Sequence, residues 1–340
     1  MILSGSDKKG FHYQKTDFVV RSSWADGEWS PLELHGDDTL HIPLAATALH
    51  YGQSAFEGLK AFRQPNCSVS VFRPLENAKR LRTSCERICM AQVDDQMFLE
   101  AIDLAVKNNW EHIPPAEDGS ALYIRPFIFG SGPTIGVRPS DNYEFVIMVI
   151  PVGSYYDPKS QGATAYIAEN YDRAAPKGMG HVKAAGNYAA GLLPTKLAKS
   201  NGFDMVLYLD AKTRQNVEEF GTSNFIALTE DGKYITPDSG TILPSITNDS
   251  LIQICKDKGI TVERRAISVK EISSLKEIGA CGTAVGITPL NEIYRGEELA
   301  WKSKVPVAES QLMELLKDLQ GIQRGQSTDP HGWRHNISAP

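Results

Sequence analysis

The stretch Gly178-Met179-Gly180-His181-Val182-Lys183-Ala184-Ala185-Gly186-Asn187-Tyr188-Ala189-Ala190 places a lysine in a run of small residues. Small side chains let the backbone approach a flat or bulky group closely. A buried lysine loses its proton readily, and the neutral amine can form a Schiff base with an aldehyde. The phenol of Tyr188, five residues later, can hydrogen-bond a cofactor oxygen. The alternative is a glycine-rich loop with an exposed lysine, and the spacing alone leaves both open.

Composition limits the classes of protein to consider. The 340 residues can bury a large core and suggest two domains, with 41% hydrophobic and 22% charged residues. The net charge of −6 has no basic stripe, which argues against nucleic acid or an anionic membrane as partner. No apolar run is long enough to span a bilayer, and residues 1–10 lack an apolar signal core. Five cysteines without a Cys-x-x-Cys pair predict free thiols in a reducing cytoplasm, and no metal site is predicted.

Two arginines in the first half of the chain are candidates for binding anions. Apolar residues recur at helical spacing from Leu75 to Met90, and Arg80 lies in this predicted helix. Arg80 belongs either to a solvated basic face or to an inward-facing site. Alternation over residues 121–129 predicts a strand with Tyr123 and Arg125 on one face. An arginine in an apolar strand needs an anion or a protein carboxylate, and both partners stay open.

The predicted domain boundary lies near the middle of the chain. Residues 130–137 form a glycine-rich loop that is not a phosphate loop, because no Gly-Lys-Ser/Thr follows. Its apolar tip, Ile135 and Val137, argues against an ordinary mobile loop. A continuous apolar strand over residues 143–152 ends the first domain. The prediction is therefore an α/β (α+β) protein with a small N-terminal domain over residues 1–152, a linker over 153–162, and a larger domain over 163–340.

Two further patterns in the second domain suggest a bound anion and a buried acid. Adjacent Glu218 and Glu219 point to opposite faces of a predicted strand, so one can be buried while the other lies in water. Residues 241–252 place short polar residues before a helix that ends at Gly259. Such a helix start presents free N–H groups and suits a phosphate, although a plain helix cap is the alternative.

Four motifs in order resemble the branched-chain aminotransferases, pyridoxal-phosphate enzymes of fold type IV. The lysine stretch resembles the family's cofactor-lysine segment, and the other three motifs span nearly the whole chain. These are Leu49-His50-Tyr51-Gly52-Gln53-Ser54-Ala55-Phe56-Glu57-Gly58-Leu59-Lys60-Ala61-Phe62-Arg63, Glu218-Glu219-Phe220-Gly221-Thr222-Ser223-Asn224 and Gly282-Thr283-Ala284. The resemblance implies a two-domain fold with pyridoxal 5′-phosphate between the domains.

The resemblance assigns most of the cofactor contacts. Lys183 would carry the cofactor aldehyde and act as the catalytic base, and Glu219 would hold the pyridine nitrogen protonated, with Glu218 as its solvated neighbour. A protonated ring nitrogen strengthens the ring as an electron sink. Phosphate contacts are implied for Arg80, the Ile246 backbone, the Thr247 hydroxyl and Thr283, and ring-oxygen contacts for Tyr188 and Thr222.

The substrate contacts follow from the same resemblance. Tyr51 and Phe56 would form the wall of the substrate pocket, where core packing is the alternative. Tyr123 and Arg125 would flank the substrate, with Arg125 meeting the distal carboxylate of glutamate. The amides of Thr283 and Ala284 would receive the substrate α-carboxylate. In a homodimer, Ile135 and Val137 would line the partner's pocket.

The implied reaction moves the amino group of L-leucine, L-isoleucine or L-valine to 2-oxoglutarate by ping-pong kinetics. The sequence leaves the preferred substrate, the direction in the cell and the role of residues 324–340 open. D-amino-acid aminotransferases usually have Arg-x-His where this chain has Arg125-Pro126-Phe127. Aminodeoxychorismate lyases are shorter and lack the Leu-His-Tyr-Gly-Gln motif. A non-catalytic binding protein of the same fold is a rival that the filled catalytic positions disfavour.

Overall fold

The computed structural model describes residues 12–153 and 162–340, which form two compact units. Of the described residues, the first unit contains 12–153, 182–186 and 321–340, and the second contains 162–181 and 187–320. The short segment around Lys183 and the C-terminal tail, both assigned to the second domain from the sequence, thus belong to the first unit. Positions 154–161 of the predicted linker lie outside the described residues, so the predicted boundaries stay a prediction.

The strands of the described residues are numbered in chain order. Those before the lysine stretch are β1 (Val19–Ala25), β2 (Glu28–Trp29), β3 (Glu33–His35), β4 (Ser54–Phe56), β5 (Leu59–Arg63), β6 (Val69–Phe72), β7 (Ala121–Gly130), β8 (Tyr143–Val152) and β9 (Ala163–Ile167). Those after it are β10 (Met205–Leu209), β11 (Val217–Phe220), β12 (Asn224–Leu228), β13 (Tyr234–Pro237), β14 (Val262–Arg265), β15 (Glu277–Gly282), β16 (Gly286–Arg295), β17 (Glu298–Lys302) and β18 (Arg334–Ile337).

The helices are numbered in the same way. They are α1 (Thr47–Tyr51), α2 (Pro74–Arg87), α3 (Asp95–Lys107), α4 (Ala185–Ala190), α5 (Leu192–Ser200), α6 (Ile246–Asp257) and α7 (Gln311–Gln323). Short 3-10 turns occupy Trp110–His112, Ala116–Asp118, Val269–Ser274 and Val307–Glu309. No helix in the described parts of the chain is both long enough and apolar enough to cross a membrane.

The first unit is built on a nine-stranded antiparallel sheet of the described residues. Its order is β18-β6-β5-β7-β8-β1-β2, with β3 beside β1 and β4 beside β7. Strands β7 and β8 pair along their whole length, from Ala121 opposite Val152 to Gly130 opposite Tyr143. Leu122, Ile124 and Ile128 pack into a core with apolar residues of α2 and α3. Because side chains alternate along a strand, Tyr123 and Arg125 lie on the opposite face of the sheet.

The second unit contains a mixed nine-stranded sheet, again counted over the described residues. Its order is β11-β10-β9-β16-β15-β12-β13-β14, and β17 pairs with β16. An additional pairing of β11 with β12, through Glu219 and Asn224, closes six of these strands into a ring. Strands of the ring contribute apolar side chains, including Phe220, Phe225 and Ile293, to one buried cluster. Closure of the ring therefore places Glu219 beside a packed core rather than at an exposed sheet edge.

Two local sequence patterns are misleading, and one open segment gains a structure. The pattern of residues 39–44 predicts a short strand, but within the described parts of the chain these residues pair with no strand, and Pro43 cannot donate an N–H to a ladder. The pattern of residues 187–201 predicts one helix interrupted or kinked at Pro194, but the structure has two helices, α4 and α5, separated by Gly191. Pro194 is the third residue of α5, where a missing N–H costs little. The unassigned tail contributes strand β18.

Candidate active site

Backbone contacts on both sides hold Lys183 within the first unit. Its carbonyl oxygen accepts a hydrogen bond from the Phe56 amide (3.2 Å), and its own amide donates to Ser84 Oγ (2.9 Å). The next residue, Ala184, forms an antiparallel bridge with Ala55 of β4. These contacts fix the lysine between β4 and α2. They direct its side chain so that Nζ lies 4.8 Å from the centre of the Phe56 ring.

The guanidinium of Arg125 packs on the same aromatic ring. Its Cζ lies 4.8 Å from the centre of the Phe56 ring, and its Nη2 donates to Tyr123 Oη (3.0 Å). Arg125 Nε is buried without a hydrogen-bond partner among the described residues. A buried N–H without an acceptor is costly, so this edge of the guanidinium suits an incoming carboxylate. Gly58 leaves room for the tyrosine, because an added Cβ there would come within 2.2 Å of Tyr123 Oη.

Arg80 forms a buried ion pair with Glu57. Arg80 Nε donates to Glu57 Oε1 and Nη2 donates to Oε2, both at 2.7 Å, and the Glu57 side chain is 0% exposed. Asn77 Nδ2 (2.8 Å) and the Gly58 amide (3.2 Å) also donate to Glu57 Oε2. Burial opposes ionisation, but Arg80, Lys183 and Asn77 together hold the pKa of Glu57 below its usual value. Glu57 is therefore a carboxylate.

A second buried pair lies in the second unit, where Arg173 contacts Glu219. Arg173 Nε donates to Glu219 Oε1 (2.6 Å), Nη2 also contacts Oε1, and Nη2 donates to the Gly180 carbonyl (2.8 Å). The Leu243 amide donates to Oε1 (3.0 Å), and Asn224 Nδ2 donates to Oε2 (3.2 Å). Burial raises the pKa of Glu219 to about 7, and the Arg173 guanidinium opposes that rise. Oε2 keeps acceptor capacity for a further donor, as a pyridinium N–H requires.

The prediction that Glu218 lies in water is wrong. Glu218 is buried, accepts from Ser239 Oγ (3.1 Å) and also contacts Thr241 Oγ1. Burial raises its pKa, although the Thr241 hydroxyl opposes the rise. Both faces of β11 are therefore covered, and strand alternation could not show that residues 239–241 cover the second face.

Neighbouring hairpin turns of the second unit bring Thr222 close to Thr283. Thr222 lies in the turn between β11 and β12, while Thr283 and Ala284 lie in the turn between β15 and β16. The two turns approach at Gly282, where an added Cβ would lie 3.9 Å from the Thr222 carbonyl oxygen. Backbone groups of both turns are thus brought together, as the predicted roles of these residues require.

Helix α6 begins where the sequence predicted an anion-binding end. Ser245 caps the helix, accepting a hydrogen bond from the Asn248 amide (3.1 Å). Ile246 and Thr247 form the first turn, whose amides have no partners within the helix itself. The position suits a phosphate, and the roles of Ile246 and Thr247 stay predictions.

The other predicted site residues are more exposed. Tyr51 Oη contacts the Ile135 carbonyl oxygen within the same unit, and Tyr51, Ile135 and Val137 are 43%, 68% and 88% exposed. Such exposed apolar side chains are compatible with burial by a partner, and that role stays a prediction. Tyr188 is half-buried in α4.

Two residues of these clusters had no role predicted from the sequence. Glu57 lies inside a quoted motif but had no predicted role, and the available clue was a charged residue among apolar ones between β4 and β5. Arg173 had no clue, because its partner Glu219 is 46 positions away and only the fold joins them.

Comparisons with known proteins show which family this chain resembles over most of its length. The family model described as Amino-transferase class IV matches residues 54–293. The branched-chain-amino-acid aminotransferase of Helicobacter pylori (strain J99) is 43% identical over 327 residues, covering 95% of each chain. The enzyme of the same name from Haemophilus influenzae is 41% identical over 334 residues, covering 95% of this chain and 96% of that one. A branched-chain amino acid aminotransferase from Thermobaculum terrenum, solved in its PLP form, has the same fold. Its TM-score is 0.79 at 22% identity, covering 96% of this chain and 100% of the other.

Proposed function

The chain belongs to the class IV amino-transferase family, and we propose that it is a branched-chain amino acid aminotransferase. It moves the amino group of L-leucine, L-isoleucine or L-valine to 2-oxoglutarate, yielding the branched 2-oxo acid and L-glutamate. The 43% identity over 95% of both chains supports this substrate class. The structural observation that carries the proposal is that the Lys183 amine and the Arg125 guanidinium each lie 4.8 Å from the Phe56 ring.

The cofactor is pyridoxal 5′-phosphate, and the residues present suit it. Glu219 offers a buried carboxylate with acceptor capacity, as the pyridine nitrogen requires. Arg80, the start of α6 (Ile246 and Thr247) and Thr283 would hold the phosphate, and Tyr188 and Thr222 would contact the ring oxygen. When bound, pyridoxal phosphate supplies an aldehyde for amines and a ring that withdraws electrons from the substrate α-carbon.

Lys183 has two roles in the proposed reaction. Its Nζ would hold the cofactor aldehyde, and as a free amine the same Nζ would take the proton from the substrate α-carbon and carry it as the general acid–base group of the site. The amide and carbonyl contacts of Lys183 with Ser84 and Phe56 keep the amine in place during this exchange. Two half-reactions on one site predict ping-pong kinetics.

The substrate side chain would lie against aromatic residues of the first unit. Tyr51, Phe56 and Tyr123 supply apolar surface for a branched side chain. Arg125, through its buried Nε, binds the distal carboxylate of glutamate, so that one pocket accepts both kinds of substrate. The amides of Thr283 and Ala284 would bind the α-carboxylate.

We further propose a homodimer that works in the cytoplasm. The exposed apolar residues Ile135 and Val137 support the dimer, in which they would line the partner's substrate pocket. The five cysteines are free thiols, which suits a reducing compartment. Analytical ultracentrifugation of the wild type and of Val137→Asp checks the assembly, because a charge in an apolar interface weakens it. A monomeric wild type would contradict the dimer.

A visible absorption spectrum tests the function directly. Protein supplied with pyridoxal phosphate should show a cofactor band that shifts to the amine form with L-leucine and not with D-alanine. Lys183→Ala should lose turnover, and Lys177→Ala, an exposed lysine six positions earlier, should keep it. A shift with D-alanine alone would indicate a D-amino-acid aminotransferase, and the absence of any band in the wild type would contradict the role of Lys183.

A further inference from the structure

Glu57 belongs to a closed circuit of contacts around Lys183 in the first unit. The Lys183 amide donates to Ser84 Oγ, and Ser84 Oγ donates to the Arg80 carbonyl (2.9 Å). The Arg80 guanidinium binds the Glu57 carboxylate at two points, and the residue before Glu57, Phe56, donates its amide to the Lys183 carbonyl. A shift of Glu57 would therefore disturb Arg80 and the lysine backbone together.

The contacts of Glu57 occupy both of its carboxylate oxygens. Replacing a buried ion pair by apolar side chains is often neutral or stabilising, so such a pair is weak evidence of a purely structural role. Here both carboxylate oxygens receive N–H groups, and one of them receives three. Arg80 gives Glu57 its Nε proton and one Nη2 proton, two of its five donors. These two bonds fix the plane of the guanidinium.

The charged and titratable groups around Glu57 come from three elements. Helix α2 contributes Arg80 and the buried thiol of Cys85, whose pKa is raised to about 12 by burial and by Glu57, so that it stays neutral. Strand β7 contributes Tyr123, beside Gly58, and Arg125, over the Phe56 ring. The lysine segment contributes Lys183. Of these groups, Glu57 is the one anion at neutral pH.

We propose that Glu57 is a positioning residue with two effects. It holds the Arg80 guanidinium in a fixed orientation, and it supplies the negative charge that stabilises a proton on the Lys183 nitrogen. The proposal rests on the proposed function, because that nitrogen is the one that Lys183 shares with pyridoxal phosphate. A negative charge close to a basic nitrogen favours its protonated form. Loss of this charge therefore lowers the pH at which the nitrogen gives up its proton.

Glu57→Gln tests the charge with little change of shape. The wild type and the variant, each saturated with pyridoxal phosphate, are titrated with base while the visible cofactor band is recorded. The midpoint of the band change should fall by about one pH unit in Glu57→Gln. Asp95→Asn is the matched control. It removes a carboxylate that pairs with Arg82, which lies on α2 like Arg80, and the Asp95 side chain is far more exposed to solvent than that of Glu57. Its midpoint should equal that of the wild type.

Glu57→Asp separates charge from general damage. It keeps the charge, so the pH midpoint of its band change should stay within about half a pH unit of the wild-type midpoint. If Glu57→Gln does not fold, this midpoint is the deciding measurement. An unchanged midpoint in folded Glu57→Gln, or a fall of one unit in Glu57→Asp, would overturn the inference. A wild type without a cofactor band would instead overturn the proposed function, so the two failures are distinct.

Discussion

Glu57 and Glu219 are both buried glutamates paired with a buried arginine, yet their pKa values move in opposite directions. The pKa of Glu57 is lowered although burial opposes it, whereas burial raises that of Glu219 to about 7 despite Arg173. Their side chains are 0% and 5% exposed, so a difference in burial does not explain the contrast. The cause lies in how the donors are distributed and in the neighbouring charges.

Each oxygen of Glu57 receives a guanidinium N–H at 2.7 Å, and Lys183 adds a second cation nearby. At Glu219, counting the described residues, the arginine contacts only Oε1, Oε2 receives one amide N–H at 3.2 Å, and the adjacent Glu218 is also buried. Glu57 is thus a fully bound carboxylate. Glu219 is an acid poised to share a proton, which is what a partner for a ring nitrogen should be.

Removing each arginine is the strongest way to break this comparison. Arg80→Met leaves the buried charge of Glu57 without its guanidinium partner, so the cofactor-free protein should lose about 3–5 kcal/mol of unfolding free energy at pH 7. Arg173→Met should cost less, about 1–3 kcal/mol, because Glu219 can take up a proton near that pH. Denaturant unfolding measures both losses.

The neighbouring Arg82 supplies the control for these variants. Arg82 pairs with Asp95 on the surface, so Arg82→Met should change stability by about 0–1 kcal/mol. Equal losses for Arg80→Met and Arg173→Met would show that the two pairs do not differ in the way their donors suggest.

The pH dependence of stability should separate the two glutamates as well. Between pH 4.5 and 7, folded Glu219 holds a proton that the unfolded chain has released, so stability falls as the pH rises. A rise in pKa from 4.5 to about 7 corresponds to about 3 kcal/mol, which the wild type should lose over this range relative to Glu219→Gln.

The effect of Glu57 on the pH dependence of stability has the opposite sign. Its folded-state pKa is lowered, so its contribution is complete above pH 4.5 and is lost only as the pH falls further. The stability difference between the wild type and Glu57→Gln should therefore be flat from pH 5 to 8. A slope there equal to that of Glu219→Gln would contradict the difference in pKa direction.

Local patterns in the sequence predicted the strands and helices that carry the site, because the spacing of apolar and polar residues in these elements repeats every two to four positions. The period of two placed Tyr123 and Arg125 on one face, and the structure confirms their contact. The polar residues before α6 predicted its start, which Ser245 caps. These features depend on neighbours within a few residues.

The pairing of charges could not be predicted from such patterns. Glu57 and Arg80 are 23 positions apart, and Glu219 and Arg173 are 46 apart. Arg173 lies in the segment after β9 and reaches Glu219 only in the folded chain, and residues 239–241 bury Glu218, which was expected to lie in water. The roles of Lys183 and Glu219 came from resemblance to a family rather than from periodicity.

A glycine contacts each of the two ion pairs, and replacing it by alanine is the test with the smallest expected effects. Gly180 accepts from Arg173 through its carbonyl, and an added Cβ would lie 1.9 Å from the Thr241 carbonyl oxygen, a backbone atom. Gly58 donates to Glu57, but an added Cβ there would meet the hydroxyl end of the Tyr123 side chain at 2.2 Å. Because a side chain can move more easily than backbone, Gly180→Ala should cost about 2–3 kcal/mol and Gly58→Ala about 1 kcal/mol. Thermal unfolding measures which variant loses more stability. A larger loss in Gly58→Ala would mean that the Tyr123 side chain is held as rigidly as backbone by Arg125, which packs on Phe56.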